Sequence, residues 1–296
     1  MAYSCLLFLI SLCLSVNGLA PPLTEEEKSL LREDDKIRLP PSIHTRVGFK
    51  SRYVDHNGNI HTNKPSDPTI LVQGTTQVSD EAIMKAATTV AYMIRHSPND
   101  VFLGVTRSHG VGLFTKQETL TIYPENTHLA DTPACHGTCA GSCKVTCTFD
   151  GCKYQEIAGV TNSRSVILDD TVLCNTHDPY RHSLNVVSHE FAHLVHKYMP
   201  TSYRNRVQYA YSKATQHHTW TTSYATATVY EYFAEASTSF FMTTITGRGG
   251  AAGGMNLCPQ TTCSNEMEAR KHLQATDPDL YDVLQQVYTS GHPTTP

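Results

Sequence analysis

The sequence lacks any cluster of basic residues and carries little charge of either sign. Charged residues make up 17% of its 296 residues, and the formal net charge is −4 at pH 7. A surface that binds nucleic-acid phosphates needs a dense group of Lys and Arg side chains. The composition therefore argues against nucleic acid as a partner.

Long apolar runs are equally scarce. The most extended one lies at Cys5–Val16, and its twelve residues fall short of the roughly 20 that a bilayer-spanning helix needs. Small residues follow at Val16-Asn17-Gly18, a pattern typical of a secretory signal rather than a membrane anchor. We therefore assign residues 1–18 to a signal peptide, expect no membrane span, and predict a secreted, extracellular protein.

Eight cysteines remain after the two in the predicted signal. An even number of cysteines in an exported chain predicts disulfides. The alternative for the C-x-x-x-C run at 135–152 is a metal site, which its repeated spacing disfavours. Five cysteines lie in that run, so at least one must pair outside it. We expect Cys258 to pair with Cys263, and Cys174 to pair with the odd member of the run. The predicted disulfide cysteines are Cys135, Cys139, Cys143, Cys147, Cys152, Cys174, Cys258 and Cys263.

The pattern H-E-x-x-H occurs at His189-Glu190-Phe191-Ala192-His193. On a helix, residues four apart share a face, so both imidazoles can bind one zinc ion. Glu190 can then act as a general base on a zinc-bound water. Apolar residues at spacings of three and four across 184–198 predict the helix. The alternative is a core helix with two hydrogen-bonded histidines.

A zinc site of this kind needs a third protein ligand. The metzincin pattern requires Gly and His where the sequence has His196 and Met199, and the common aminopeptidase spacing falls on Ser212. A Gly-Thr-x-x-Asp-like segment is absent from the sequence as well. The remaining candidate is Glu231, with Glu235 one turn later in an apolar helix, where a buried carboxylate needs a cation or hydrogen bonds. We predict that Glu231 binds the ion and that Glu235 holds a ligand histidine.

Two other assignments stay open. His217 and His218 are alternative third ligands, although their segment has no helical period and no carboxylate at a fixed spacing to orient them. The helix that carries Glu231 and Glu235 can also be a partly solvated face without a metal.

These motifs resemble those of the gluzincin metallopeptidases, most closely the catalytic domain of anthrax lethal factor and related secreted zincin-like proteins. That domain carries H-E-F-G-H and, later, a Tyr seven residues before the first Glu of E-F-F-A-E-A. This sequence places Tyr224 seven residues before Glu231 in Glu231-Tyr232-Phe233-Ala234-Glu235-Ala236. The resemblance covers about residues 50–290. It implies a zincin-like fold, one Zn²⁺ ion, a protein or peptide substrate, and a catalytic role for Tyr224 in stabilising the oxyanion.

Composition and the extent of the resemblance together divide the chain into an expected arm and an expected domain. Residues 19–45, with two Pro-Pro pairs and an acidic run, form an N-terminal arm or propeptide. The arm contains no cysteine, which excludes a thiolate latch on the zinc. Residues 46–296 form the zincin-like catalytic domain. A Cys-rich insertion at about 131–155 and a Gly-rich insertion at 247–254 interrupt it.

The order of elements favours an α+β fold. We expect a small mixed sheet with an antiparallel edge strand, an active-site helix and a C-terminal helical part. An Asn57-Gly58 turn predicts a hairpin, and Ser165–Leu173 is the candidate edge strand. The other predicted elements are a helix from Ser79 or Asp80 to about His96, strands at Val101–Thr106, Gly112–Phe114, Thr119–Tyr123 and Glu156–Thr161, loops over 201–223, and helices at 225–243, 265–274 and 277–289.

Together these patterns predict a secreted zinc metalloendopeptidase. In this interpretation His189, His193 and Glu231 bind one Zn²⁺ ion, and Glu190 activates water. The alternative is a catalytically inactive, secreted zincin-like binding or toxin-like protein. The presence of Glu190 and Tyr224 argues against it, because a structural zinc needs neither. A zinc hydrolase with a non-peptide substrate also fits, and the motifs do not define an oligomeric state.

Overall fold

The computed structural model describes residues 48–148, 151–180, 184–220, 224–243, 255, 257–258 and 261–292. Over these residues the fold is α+β, as predicted, with a six-stranded mixed sheet packed against helices. This arrangement is consistent with the zincin-like fold expected from the sequence. The predicted signal peptide, the N-terminal arm and the Gly-rich segment 247–254 lie outside the described residues. None of the described helices is long and apolar enough to cross a membrane.

The first half of the sheet is antiparallel. Strand β1 (Phe49–Val54) pairs with β2 (Ile60–His61) on one side and with β3 (Ile70–Thr75) on the other. The turn between β1 and β2 contains Gly58 at φ 80°, a conformation that favours a residue without a Cβ. The hairpin predicted from Asn57-Gly58 is therefore present.

The second half of the sheet leads to the candidate site. Strand β3 runs parallel to β4 (Val111–Phe114), β4 runs parallel to β6 (Ser165–Leu168), and β6 pairs antiparallel with β5 (Gly159–Thr161). The strand order is β2-β1-β3-β4-β6-β5. The prediction that Ser165–Leu173 forms the edge strand is wrong, because β6 is buried at every residue and lies inside the sheet. The shorter β5 forms the antiparallel edge.

Two helices follow β3 in the chain. Helix α1 (Asp80–Ile94) begins after Ser79, whose hydroxyl accepts a first-turn backbone N–H at 3.1 Å, as predicted. Helix α2 (Asn99–Val105) replaces the strand predicted at Val101–Thr106. Its buried residues recur at helical spacing, whereas its Val content favours a strand by propensity alone. The segment is too short for the pattern to decide between the two.

The helices after β6 carry the sequence motifs. Helix α3 (Asp169–Leu173) continues directly from β6, and α4 (Val186–Tyr198) contains H-E-x-x-H. Helix α5 (Thr201–Gln216) precedes α6 (Val229–Phe240), which contains Glu231. Helices α4 and α6 pack against each other, so the two motifs face one another across this contact.

Two other sequence-based assignments are wrong. Thr119–Tyr123 forms a 3₁₀ turn at Leu120–Ile122 instead of a strand. Much of 201–223, predicted as loops, forms α5. The few buried residues of α5 recur at spacings of three and four, but this apolar stripe is too sparse to stand out from the polar residues around it. These buried residues are Val207, Ala210 and Ala214.

The C-terminal helical part is present, as predicted. Asp277 caps the last helix through its side chain, which accepts a backbone N–H from Leu280 at 3.3 Å, and Pro278 is the first helical residue. This combination is the expected start of a helix. The elements are β7 (Leu257–Cys258), β8 (Thr261–Thr262), α7 (Glu266–Thr276) and α8 (Pro278–Thr289).

The cysteines form disulfides, as predicted, with one exception. Cys152 is disulfide-bonded, but Cys174 is free and exposed, so the predicted bridge from Cys174 to the insertion is wrong. Cys174 ends α3 at φ 51°, and its thiol donates to the Thr171 carbonyl of its own helix at 3.7 Å. The odd number of cysteines in 135–152 showed that one of them needs a partner outside this segment. It did not show which cysteine that partner is. The bridges within the described residues are Cys135–Cys143, Cys139–Cys147 and Cys258–Cys263, the last as predicted.

The Cys-rich insertion has a polar centre. The buried ammonium group of Lys153 lies 2.9 Å from Asp131 Oδ1 and 2.8 Å from Thr146 Oγ1. It also donates to the carbonyls of Cys135 at 2.6 Å and Thr138 at 2.7 Å. A buried charge requires such partners, so Lys153 fixes several turns of this loop around one point.

Candidate metal centre

Helix caps fix the positions of the two motifs. Helix α4 begins at Asn185, whose side-chain oxygen accepts a first-turn N–H at 3.1 Å. Helix α6 begins at Thr228, whose hydroxyl accepts the backbone N–H of Glu231 at 3.1 Å. Between the helices the His196 ring stacks on Phe233, with ring centroids 5.0 Å apart. The caps set where each helix starts, and the packing sets how the helices face each other.

Three candidate ligand atoms converge on one point. Nε2 of His189 lies 3.1 Å from Nε2 of His193, and Oε2 of Glu231 lies 3.1 Å and 3.5 Å from these nitrogens. Ligands placed tetrahedrally at about 2.0–2.1 Å from a zinc ion are roughly 3.3 Å apart. The spacing therefore fits one ion with three protein ligands and a fourth position left open. Among the described residues, this is the one group of His, Cys, Asp and Glu side chains that can hold a metal ion.

The site favours a positive charge. Oε2 of Glu231 is buried, and the imidazole nitrogens of His189 and His193 lie within 3.5 Å of it; a buried carboxylate needs a positive charge or hydrogen bonds nearby. Burial raises the pKa of Glu231, but the nearby His193 and His189 side chains outweigh burial and hold that pKa below its ordinary value. Glu231 is therefore an ionised carboxylate in a buried position.

Glu235 lies on the other side of the His189 ring. Its Oε1 is 3.0 Å from Nδ1 of His189, and the carboxylate is 2% exposed. Burial lowers the pKa of His189, but Glu231 and Glu235 outweigh burial and raise it well above the usual value. A carboxylate beside Nδ1 keeps a proton on that nitrogen, so a metal ion that displaces the second proton of the imidazolium would bind at Nε2. The orienting role of Glu235 toward His189 stays a prediction.

Glu190 is part of α4, and its side chain reaches the edge strand β5. Its Oε2 accepts a hydrogen bond from Thr161 Oγ1 of β5 at 2.6 Å. Glu190 is 8% exposed. A Cβ added to Gly159 would lie 2.8 Å from Oε1 of Glu190. The carboxylate therefore touches β5 directly. Neither Thr161 nor Gly159 belongs to a sequence motif, so no pattern in the sequence pointed to them.

Tyr224 lies in the 3₁₀ turn Tyr224–Thr226, which leads into α6. The hydroxyl of Tyr211 donates to the carbonyl of Thr226 at 3.0 Å and anchors this turn to α5. The side chain of Tyr224 lies outside the described part of the structure, so its role at the oxyanion stays a prediction.

Tyr180 is a neighbour of the site to which the sequence analysis assigned no role. Burial and then the negative charges of Glu190, Asp178 and Glu231 raise the pKa of Tyr180 above its usual value. The phenol is therefore within electrostatic range of the candidate site. Its position in Asp178-Pro179-Tyr180, shortly before α4, is the signal that could have pointed to it.

The other histidines considered do not join the group. His217 caps the C-terminus of α5 and His218 follows at φ 54°, and both are exposed. His196 is buried, and burial followed by the charge of His193 lowers the pKa of His196 to about 3, which keeps this ring neutral. The structure thus brings together His189, His193, Glu231 and Glu235, but not His217 and His218.

Neither a protein-family profile nor a curated protein matches this chain. Among solved structures, it is similar to the Pro-Pro endopeptidase PPEP-2 from Paenibacillus alvei. The sequence identity is 16%, the TM-score is 0.38, and the match covers 69% of this chain and 91% of that chain. A likeness of this strength supports no conclusion about activity, so the functional assignment depends on the geometry of the site.

Proposed function

We propose that the protein is a secreted, zinc-dependent metalloendopeptidase. The observation that carries this proposal is the convergence of His189 Nε2, His193 Nε2 and Glu231 Oε2, all within 3.5 Å of one another, next to Glu190 in the sequence. Two imidazoles and one carboxylate with a fourth position open are the donor set of catalytic zinc sites. Structural zinc sites are usually closed by four protein ligands.

Each residue has a defined part in the proposed reaction. His189, His193 and Glu231 hold the ion, which supplies Lewis-acid chemistry to the peptide carbonyl when it is bound. Glu190 accepts a proton from the attacking water on its carboxylate and later donates this proton to the leaving amine nitrogen. Glu235 orients His189 through Nδ1, so that Nε2 stays available.

The proposed substrate is an extended peptide. Among the described residues β5 has one partner strand, β6, so the opposite edge of β5 presents backbone groups for strand addition. The same strand contacts Glu190 through Thr161. Tyr224 begins the turn before α6, and in this proposal its hydroxyl donates a hydrogen bond to the oxyanion that forms from the scissile carbonyl.

Export from the cell is part of the proposal. The apolar run at Cys5–Val16 has the length of a signal-peptide core. The described disulfides support an oxidising compartment, where such bonds form and persist.

The alternative is a catalytically inactive binding or toxin-like protein that keeps the metal site. Such a protein needs His189, His193 and Glu231 but has no use for a carboxylate at position 190. A zinc hydrolase with a non-peptide substrate needs all four. Metal content and peptide cleavage together separate these possibilities.

The test uses the purified mature protein. We expect about one zinc ion per chain by elemental analysis and cleavage of members of a peptide library. Cleavage should stop on addition of a chelator and return when zinc is restored. Glu190→Gln should keep the zinc but lose nearly all turnover, because an amide cannot accept the proton. Zinc without any peptide cleavage would favour the binding protein, and a chain without stoichiometric metal would overturn the proposal.

A further inference from the structure

The carboxylate of Glu190 is held from the sheet side by the edge strand. Oγ1 of Thr161 lies 2.6 Å from Oε2 of Glu190, a length typical of a hydroxyl bound to a carboxylate. We propose that Thr161 is a positioning residue for the general base, and that Gly159 provides the space that the carboxylate occupies. This inference rests on the proposed function, because it takes Glu190 to be the base.

The surrounding contacts direct the Thr161 hydroxyl toward the carboxylate. Three acceptors are within reach of Oγ1: Oε2 of Glu190 at 2.6 Å, Oγ of Ser165 at 2.9 Å and the carbonyl of Glu190 at 3.0 Å. A hydroxyl has one proton to donate. Ser165 Oγ already donates to the Glu190 carbonyl at 2.9 Å, and the carboxylate is both the nearest acceptor and the charged one. The proton of Thr161 therefore goes to Oε2.

Gly159 acts on the second carboxylate oxygen. Residues two apart in a strand share a face, so Gly159 and Thr161 both present their Cβ side to α4. A Cβ at position 159 would lie 2.8 Å from Oε1 of Glu190 and 2.9 Å from Cγ1 of Val186. Such contacts are too short for real atoms, so an added side chain has to displace the Glu190 side chain, the Val186 side chain or the strand itself. The backbone of Gly159 is not in the left-handed region, and space is therefore the reason for glycine.

The two contacts bear on the two oxygens of one carboxylate: Thr161 lies against Oε2 and the backbone of Gly159 lies beside Oε1. Under the proposed function this restricts where the base can sit. Small displacements of a reacting group cost large factors in rate.

Four variants test the inference. Thr161→Val keeps the shape and removes the hydroxyl, and it should lower kcat by about 10- to 100-fold, the effect of losing a hydrogen bond to a charged group. Zinc content and KM should change little. Thr161→Ser restores the hydroxyl and should recover most of the lost kcat. Gly159→Ala should lower kcat as well, because it displaces the carboxylate without removing any functional group.

Thr75→Val is the matched control. The hydroxyl of Thr75 in β3 donates to Oε2 of Glu118 at 2.9 Å, so this variant also removes a hydroxyl-to-carboxylate bond from the same sheet. Strands β4 and β6 separate β3 from β5. We expect Thr75→Val to reduce stability but to keep the wild-type kcat.

Comparison with Glu190→Gln separates the two proposals. If Glu190→Gln turns over like the wild type, the proposed function fails and the role of Thr161 fails with it. If Glu190→Gln is inactive but Thr161→Val keeps the wild-type kcat, only the positioning role is overturned. If Thr161→Val and Thr161→Ser lose kcat equally, the hydroxyl is not the cause and the inference is also wrong.

Discussion

The hydroxyl of Tyr232 donates a hydrogen bond of 2.6 Å to Oδ2 of Asp277. Tyr232 lies in α6 next to the candidate ligand Glu231, and Asp277 is the N-cap of α8. Nε1 of Trp220 donates to the same oxygen at 2.9 Å. Tyr232, Trp220 and Asp277 are all buried. The position of the ligand helix therefore depends on a polar contact with the C-terminal helices as well as on apolar packing.

Tyr232→Phe should lower the free energy of unfolding by about 1.5–3 kcal/mol, the range for a hydrogen bond to a charged group. Asp277 keeps its bond from Trp220, which limits the loss. Urea denaturation measures the difference. Tyr209→Phe is the control, because Tyr209 is exposed on α5 and surface changes stay within about 0.5 kcal/mol. Equal stabilities for the two variants would show that the Asp277 contact contributes nothing.

Glu231→Ala should strip the metal from the site, because it removes one of three converging ligand atoms. His217→Ala and His218→Ala should keep the metal, since both histidines are exposed at the end of α5. Elemental analysis after dialysis gives the zinc content of each variant. The assignment of the third ligand is wrong if a histidine variant loses zinc while Glu231→Ala retains it.

Tyr224→Phe should lower turnover by at least tenfold, with full zinc occupancy and little change in KM or melting temperature. The change keeps the ring and deletes only the hydroxyl. Loss of one oxyanion donor typically costs about 10²–10³ in turnover, or about 2.7–4 kcal/mol. Steady-state kinetics on a cleaved library peptide provide the measurement. Wild-type turnover in this variant would leave the ion as the remaining oxyanion stabiliser in the proposal.

Acid should weaken the fold partly through Glu125. Oε1 of Glu125 lies 2.6 Å from His109 Nδ1 and 2.9 Å from Arg164 Nη2. Burial raises the pKa of Glu125, but the hydrogen bond from His109 and the charge of Arg164 outweigh burial and lower that pKa to about 2 from an ordinary 4.5. A depressed carboxyl pKa gives stability that is present above the unfolded value and lost as the pH falls toward the folded value.

The corresponding measurement is the free energy of unfolding between pH 5 and pH 2. We expect the free energy of unfolding of the wild type to fall more steeply over this range than that of Glu125→Gln, because the amide cannot ionise. Parallel curves for the two proteins would contradict the role of Glu125.

The grouping of the candidate metal ligands could be predicted because their relation is local. The spacing of His189 and His193, and that of Glu231 and Glu235, places each pair on one helix face whatever the rest of the chain does. The contact between Thr161 and Glu190 depends on how a three-residue strand packs against α4, and no spacing in the sequence encodes that. The candidate site was therefore predicted without Thr161 and Gly159, the two residues of β5 that lie against the Glu190 carboxylate.

The difference between local and long-range relations also explains which predictions about the fold were wrong. The hairpin at Gly58 and the N-cap of α1 follow from neighbouring residues and were predicted. Ser165–Leu168 lies inside the sheet because it pairs both with the preceding β5 and with the distant β4, and β-branched residues occur at edge and inner positions alike. The predicted pairing of Cys174 was wrong for a related reason. Counting cysteines gives the number of possible bridges but not which thiols pair.

Because alternate residues of β5 face opposite sides, this strand links substrate preference to the rate of the chemical step under the proposed function. Gly159 and Thr161 face Glu190, whereas Val160 packs on the opposite side against an apolar cluster that includes Leu120 and Val166. Under the proposed function, a change at position 159 or 161 that altered substrate preference would also alter the rate of the chemical step. A new substrate preference would therefore have to evolve by substitutions outside β5, while the three residues of this strand stayed unchanged.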